Sequence, residues 1–257
     1  MRFVVNAPET QPWSAPADPA LTGGHRIGVL VSHGFTGSPA SMRPWAEFLN
    51  ASGYAVEVPL LPGHGTTWQA MNSTGWADWY GEVEAAWQRL SDTCDQVFAF
   101  GLSMGGGLML QLAVDHPDVA GLVLVNPAVN STNKQLIALP LLKRLVAGFP
   151  GIINDIKRPG MDEHGYPKVP LLALADLLSA WKRLRPALVN VKAPLLLFRS
   201  SVDHVVDPSS ARIILGSVGS AQVSERILTN SFHVATLDND APEIFAGSLE
   251  FIRSHAL

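Results

Sequence analysis

The chain reads as an α/β protein, with a mostly parallel central sheet and helices on both faces, and three observations predict it. Short apolar runs rich in β-branched residues recur at 27–32 (IGVLVS), 54–58 (YAVEV), 97–100 (VFAF), 121–125 (GLVLV), 194–198 (PLLLF) and 223–228, with the length and composition of buried strands. Between them, 39–52, 76–91, 104–116, 208–216 and 241–255 carry helical patterns. Regular alternation of the two is the mark of crossover connections, which return each strand to the sheet in the same direction.

The elements follow in chain order. Segment 7–24 is rich in proline and alanine and reads as a surface arm. In 76–91, Trp76, Trp79 (or Tyr80), Val83, Trp87 and Leu90 recur at steps of three and four, so this aromatic stripe is expected in the core rather than against a ligand. In "DNDAPE", Asp240 is placed to N-cap the last helix, with Pro242 in its first turn and Glu243 at capping-box spacing. Asp238 and Asp240 therefore have a structural explanation. One connection breaks the alternation, because over sixty residues separate Val125 from Pro194, with helix-like runs at Leu136–Val146 and Leu171–Leu184. An ordinary crossover is far shorter. Residues 128–190 are thus expected to form a small inserted cap, with 1–127 and 191–257 as the core around it.

Composition narrows the function. A chain of 257 residues with 47% hydrophobic content has ample material for a core, and a net charge of −4 gives no basic surplus for nucleic acid. The single Cys94 excludes an intramolecular disulfide and a multi-cysteine zinc site, and it sits in the polar run "SDTCDQ" with no glycine elbow to present it. After Arg2 no sustained apolar region follows, so no secretory leader and a cytoplasmic location are expected. The longest apolar stretch, Leu136 to Ile153, is broken by Pro140, Lys143, Arg144 and Pro150, which disfavours a membrane span but suits transient contact with a membrane or micelle surface.

The chemistry centres on "FGLSMGGG" at 100–107. In a chain with 22 glycines, G-x-S-x-G arises by composition alone about once in seven such sequences, so context has to decide. Ser103 follows the strand "VFAF" and precedes the helical run "MGGGLMLQLAVDH", the strand–turn–helix setting of a nucleophile elbow. A serine hydroxyl needs a base to take its proton and a carboxylate to fix that base's tautomer. Asp203, after the 194–198 strand, and His233, after the 223–228 strand, supply them in the order Ser, Asp, His. Asp207 precedes Pro208 and reads as a helix cap, His204 as facing solvent or a loop carbonyl, and His116, His25 and His255 do not complete the order. Oxyanion donors are expected at the amides of Met104, directly after the nucleophile, and Phe35 in "HGFTG" in the loop after the first strand, 27–32.

Together, "HGFTGSP", "LPGHG" (61–65), "GLSMGG", "DHVV" (203–206) and "SFHVATLD" (231–238) make the chain resemble the α/β-hydrolase superfamily, and within it the bacterial carboxylesterases and monoacylglycerol lipases, over about 27–255. The resemblance implies a Ser103–Asp203–His233 triad, oxyanion amides at Phe35 and Met104, and His64 as a residue that structures a loop. Because 155–170 resembles the cap of the monoacylglycerol lipases, it also implies that Glu163 contacts glycerol hydroxyls. Ile152 is expected to border the acyl channel. The expected reaction is two-step hydrolysis of monoacylglycerols or short- to medium-chain esters, with no metal and no organic cofactor. Alternatives are a carboxylesterase without glycerol recognition and a non-catalytic receptor on the same fold.

Overall fold

The structure is a computed structural model and describes residues 7–257. The strands are β1 (Trp13–Ala15), β2 (Ile27–Ser32), β3 (Ala55–Val58), β4 (Gln96–Leu102), β5 (Leu122–Val125), β6 (Gly148–Pro150), β7 (Lys168–Pro170), β8 (Leu195–Ser200) and β9 (Val223–Leu228). The helices are α1 (Arg43–Ala51), α2 (Trp68–Met71), α3 (Trp76–Ser91), α4 (Met104–Asp115), α5 (Leu139–Leu145), α6 (Leu171–Ala187), α7 (Ser209–Ser217) and α8 (Ala241–His255). Seven strands form one sheet in the order β1-β3-β2-β4-β5-β8-β9, parallel throughout except for β1 on β3, and β6 and β7 form a separate antiparallel pair.

Period-two alternation builds two cores from this one sheet. In β4, Phe98 and Phe100 face a cluster closed by α1 and α8, while Val97 and Ala99 face a cluster closed by α3, α4, α6 and α7. Trp45 of α1 is fully buried and stacks on Phe100 with ring centroids 5.1 Å apart. Burying an aromatic of this size contributes about 2–3 kcal/mol. The stripe on α3 is core as expected, with Trp76, Trp79, Val83, Trp87 and Leu90 all buried.

Two local expectations need correction. The 7–24 arm contains β1, whose Trp13 pairs with Val58; three residues between prolines are too few to show a period. Asp240 does precede α8, but its φ of −88° and ψ of 6° are not the extended geometry that turns a side chain back onto the first turn. Its carboxylate accepts the Asn230 N–H at 2.8 Å instead, and no capping box with Glu243 forms.

The β5–β8 connection holds α5, the β6–β7 pair and α6. Helix α6 makes no core of its own: Leu177, Trp181 and Leu184 are buried in the same cluster as α3 and α4. Its Asp176 also accepts the Trp76 N–H at 2.7 Å, capping α3 from outside. The first half of the connection is different, since Ile137 is 81% exposed, Leu145 70% and Phe149 58%. Among the described residues no helix is long and apolar enough to cross a membrane.

Candidate active site

Strands β2 and β4 are neighbours at the centre of the sheet, and the loops leaving their carboxyl ends meet there, where open α/β sheets place their ligands. Ser103 alone turns the chain from β4 into α4, at φ 56° and ψ −120°. A side chain in that region is strained. It is held there from both sides: the Ser103 N–H donates to the Val125 carbonyl, and the Ser103 carbonyl accepts from Gly107 and Ala128. The flanking glycines answer to close approach. A Cβ on Gly105 would collide with the Ser32 carbonyl, and one on Gly101 would lie 2.5 Å from the Gly105 backbone.

His233 and Asp203 meet beside it. Asp203 Oδ2 lies 2.8 Å from His233 Nδ1, and its Oδ1 accepts the N–H groups of Val205 and Val206, both at 2.8 Å. This fixes the carboxylate and places the imidazole proton on Nδ1, leaving Nε2 as an acceptor. Burial disfavours the imidazolium, but the charge and hydrogen bond of Asp203, with Glu163 and Asp155 farther off, outweigh it and raise the His233 pKa above the ordinary value. Burial likewise opposes the Asp203 carboxylate, and His233 and the two backbone donors overcome it, so its pKa is lowered. Ser103 and His233 line one cavity of about 240 Å³. The Ser103 hydroxyl makes no hydrogen bond with a described group.

On the β2 side, a Cβ on Gly34 would lie 3.2 Å from the Ser103 Cβ, so the Gly34–Phe35 loop closes directly over the elbow. Among the described residues neither the Phe35 nor the Met104 N–H has a partner, and Met104 opens α4, where the helix dipole favours negative charge. Phe35 also packs its ring edge-on to Trp79 at 5.7 Å. Two buried histidines stiffen this loop: His33 Nε2 accepts the Leu61 N–H and His64 Nε2 the Thr36 N–H, each at 3.2 Å. Burial lowers the His33 pKa to about 4 and the His64 pKa well below its usual value. Both are neutral struts.

The β5–β8 connection supplies the opposite wall. Glu163 and Asn154 bind each other reciprocally: the Asn154 N–H donates to Glu163 Oε1 at 2.8 Å, and the Glu163 N–H donates to Asn154 Oδ1 at 2.9 Å. Glu163 is half-buried rather than a free surface residue and lines the cavity, where burial pushes its pKa up. Ile152 lines the same cavity but is 57% exposed, at the rim rather than inside a channel.

The remaining candidates have other partners. Asp207 accepts the Ser209 N–H at the start of α7 and binds Thr132, a structural use. Half-burial raises the Cys94 thiol pKa, against any thiolate role. His204 is exposed and lines the cavity, and its Nδ1 lies 2.7 Å from Asp155 Oδ1 rather than on a loop carbonyl. Sequence reasoning also missed Asn126, which donates to the His233 carbonyl at 2.8 Å and accepts the Ser200 N–H at 2.7 Å, tying three strand-end loops together. Its only local sign is a polar residue directly after "LVLV". All five non-glycine residues with positive φ among those described, Thr36, Ser103, Asn126, Asn154 and His164, sit at or directly beside this cavity, where strain commonly concentrates at functional sites.

The chain is similar to known proteins at several distances. The family model of serine aminopeptidase, S33, matches residues 23–157. A thermostable monoacylglycerol lipase of Bacillus sp. (strain H-257) is 39% identical, over 96% of this chain and 99% of its own. A carboxylesterase of Bacillus subtilis (strain 168) is 28% identical, over 87% and 91%. A solved structure from the pair LipS and LipT, two metagenome-derived lipolytic enzymes, aligns with a TM-score of 0.90 at 41% identity, over 96% of this chain and 99% of that one. A soluble variant of the monoglyceride lipase of Saccharomyces cerevisiae shares the fold with a TM-score of 0.78 at 17% identity, over 96% and 92%.

Proposed function

Because the chain belongs to the serine aminopeptidase, S33, family of the α/β-hydrolase superfamily and is a serine ester hydrolase, we propose that it cleaves monoacylglycerols to glycerol and fatty acid through an acyl-enzyme on Ser103. The observation that carries this reading is one cavity lined by Ser103, His233 and Glu163, with exposed apolar residues at its rim.

His233 Nε2 takes the Ser103 proton as Oγ attacks the ester carbonyl, and the negative charge that develops on the carbonyl oxygen is met by the Phe35 and Met104 amides. The tetrahedral intermediate collapses by breaking the bond to the alcohol oxygen, which leaves with the proton from His233. Water, deprotonated by the same nitrogen, then attacks the acyl-enzyme and releases the carboxylic acid. Asp203 keeps the imidazole in the required tautomer and stabilises its charged form. Neither a metal nor an organic cofactor enters any step.

In this reading 1–127 and 191–257 act as the core and 128–190 as the cap, with α6 anchoring the cap in the α3–α4 cluster. Glu163 receives the glycerol hydroxyls, supported by its position across the cavity from Ser103 and by the match to a monoacylglycerol lipase over nearly the whole chain. A cavity of about 240 Å³ is small for a long-chain ester. The acyl chain therefore runs out past Ile152 along the exposed apolar residues of the cap, which rest transiently on a membrane or micelle while the enzyme works in the cytoplasm.

The test assays wild type, Ser103→Ala and Glu163→Gln on a short aryl ester and on 1-monoacylglycerol. Ser103→Ala should lower kcat by about 10⁴-fold or more on both. Glu163→Gln keeps an acceptor for Asn154 and should raise KM about fivefold for monoacylglycerol only, about 1 kcal/mol, the difference between a hydrogen bond to a charged acceptor and one to a neutral acceptor. Turnover by Ser103→Ala sinks the nucleophile, and equal KM shifts on both substrates leave a carboxylesterase without glycerol recognition.

A further inference from the structure

Asp155 is buried, belongs to the β5–β8 connection, and spends its carboxylate on the machinery opposite. Its Oδ2 accepts two backbone N–H groups, those of His233 and of His204, each at 3.1 Å. Its Oδ1 lies 2.7 Å from the His204 imidazole Nδ1. Its own carbonyl accepts the Val234 N–H at 3.1 Å. One residue thus grips the backbone on both sides of the His233–Asp203 pair, at His233 itself and at the residue directly after Asp203.

The strand-end loops carrying those two side chains also meet through the His233–Asp203 bond, the Ser200 hydroxyl on the Phe232 carbonyl at 2.8 Å and the His204 ring edge-on to Phe232 at 4.7 Å, and Asp155 adds a tie to both from the β5–β8 connection. The chain around Asp155 is fastened in turn. Asn154, at φ 51°, is locked to Glu163, and Lys157 and Arg158 donate their N–H groups to the fully buried Asp238 at 2.6 and 2.9 Å. Asp238 also accepts the Phe232 N–H at 2.9 Å, so the same short stretch is stitched to the His233 loop twice.

We infer that Asp155 is a positioning residue for catalysis: through the His233 and His204 amides it sets the placement of the imidazole over Ser103, so that the cap is part of the catalytic geometry and not only a cover. The inference rests on the Ser103–Asp203–His233 reading. A carboxylate serves because one oxygen can accept two converging amides while the other holds His204. A shift of about 1 Å in a base costs on the order of 10²-fold in rate without changing what the substrate touches in its ground state.

The experiment compares Asp155→Ala, Asp155→Asn and Asp155→Glu with wild type and Ser103→Ala on a short aryl ester, with thermal melts alongside. Asp155→Asn retains an oxygen for the two amides and should keep kcat within about threefold of wild type. Asp155→Ala should lower kcat about 30-fold with KM within twofold. Asp155→Glu keeps the charge but displaces it by a methylene, and should lower kcat at least fivefold in a folded protein, which serves if the alanine variant does not fold. Wild-type kcat in Asp155→Glu or Asp155→Ala, a loss confined to KM, or an asparagine variant as slow as alanine would each overturn the inference. Ser103→Ala keeps the two readings apart: if it is inactive while Asp155→Ala is fully active, only the positioning role fails.

Discussion

The cavity wall that carries Ser103 is fixed by steric contact, whereas the wall that carries Glu163 and Ile152 is fixed by hydrogen bonds to carboxylates. At the elbow, backbone meets backbone with no space for a methyl group at Gly101 or Gly105, and the strain at Ser103 is held by a parallel sheet on either side. Across the cavity, Asp155 and Asp238 between them accept N–H groups from both the cap and the His233 loop. Steric fit admits one geometry and is insensitive to pH. Carboxylate fastening is directional, titratable and separable residue by residue, and suits a wall that has to meet different acyl chains.

The sharpest way to break the comparison is Gly105→Ala. The added Cβ meets the Ser32 and His33 carbonyl oxygens, which are backbone and cannot swing aside. Overpacking of this kind should cost at least about 3 kcal/mol, read as a fall in the denaturant midpoint, together with loss of ester turnover because β2 and the Phe35 amide are displaced. A variant with wild-type stability would show that the elbow wall yields like the other.

Acid sharpens the comparison, because the histidine strut beside the elbow and the carboxylate of the triad respond to it for opposite reasons. His33 is held neutral, with a folded pKa of about 4 against an ordinary 6.5. The unfolded chain binds a proton below 6.5 and the folded chain does not until about 4, so its stabilisation is present above 6.5 and lost as pH falls from 6.5 to 4. The difference corresponds to about 3 kcal/mol. Asp203, whose folded pKa is lowered, gives stability that is present above its unfolded value and lost only as pH falls through the lower folded one. Unfolding curves between pH 7 and 4.5 should therefore steepen earlier for wild type than for His33→Asn, with a slope difference of up to about 1.4 kcal/mol per pH unit. Parallel slopes would assign the acid response to carboxylates alone.

The two walls also differed in how far they could be read from the chain. The elbow is local: "VFAF", Ser103 and the glycine run lie within one stretch of eleven residues, 97–107, and a strand and a helix flank the serine directly. Asp203 and His233 announce themselves by following strands. Asp155 shows nothing of the kind, since its partners lie 49 and 78 residues away and "INDIK" has no period. Glu163 was reached only through resemblance, and its lock onto Asn154 depends on a positive φ that the sequence does not display. β1 escaped because three residues at an antiparallel edge are shorter than any repeat. Patterns that recur within a segment are legible; single polar residues that close long loops are not.

The smallest effect concerns the outer surface of the β5–β8 connection, where neither steric fit nor a carboxylate acts. Ile137 and Leu145 are 81% and 70% exposed, and Phe149 and Ile152 stand exposed near them. Apolar groups already in water contribute little to folding, so Ile137→Ser with Leu145→Ser should move the melting temperature by no more than a surface change does, within about 0.5 kcal/mol. The same pair should lose affinity for a lipid surface, at about 25 cal/mol for each Å² of apolar area no longer buried there. Turnover of a dissolved aryl ester should then stay at the wild-type rate while turnover of micellar monoacylglycerol falls several-fold through KM. An equal fall on both substrates would mean that these side chains support the cavity itself, and an unchanged micellar rate would remove the lipid surface from the account of how substrate arrives.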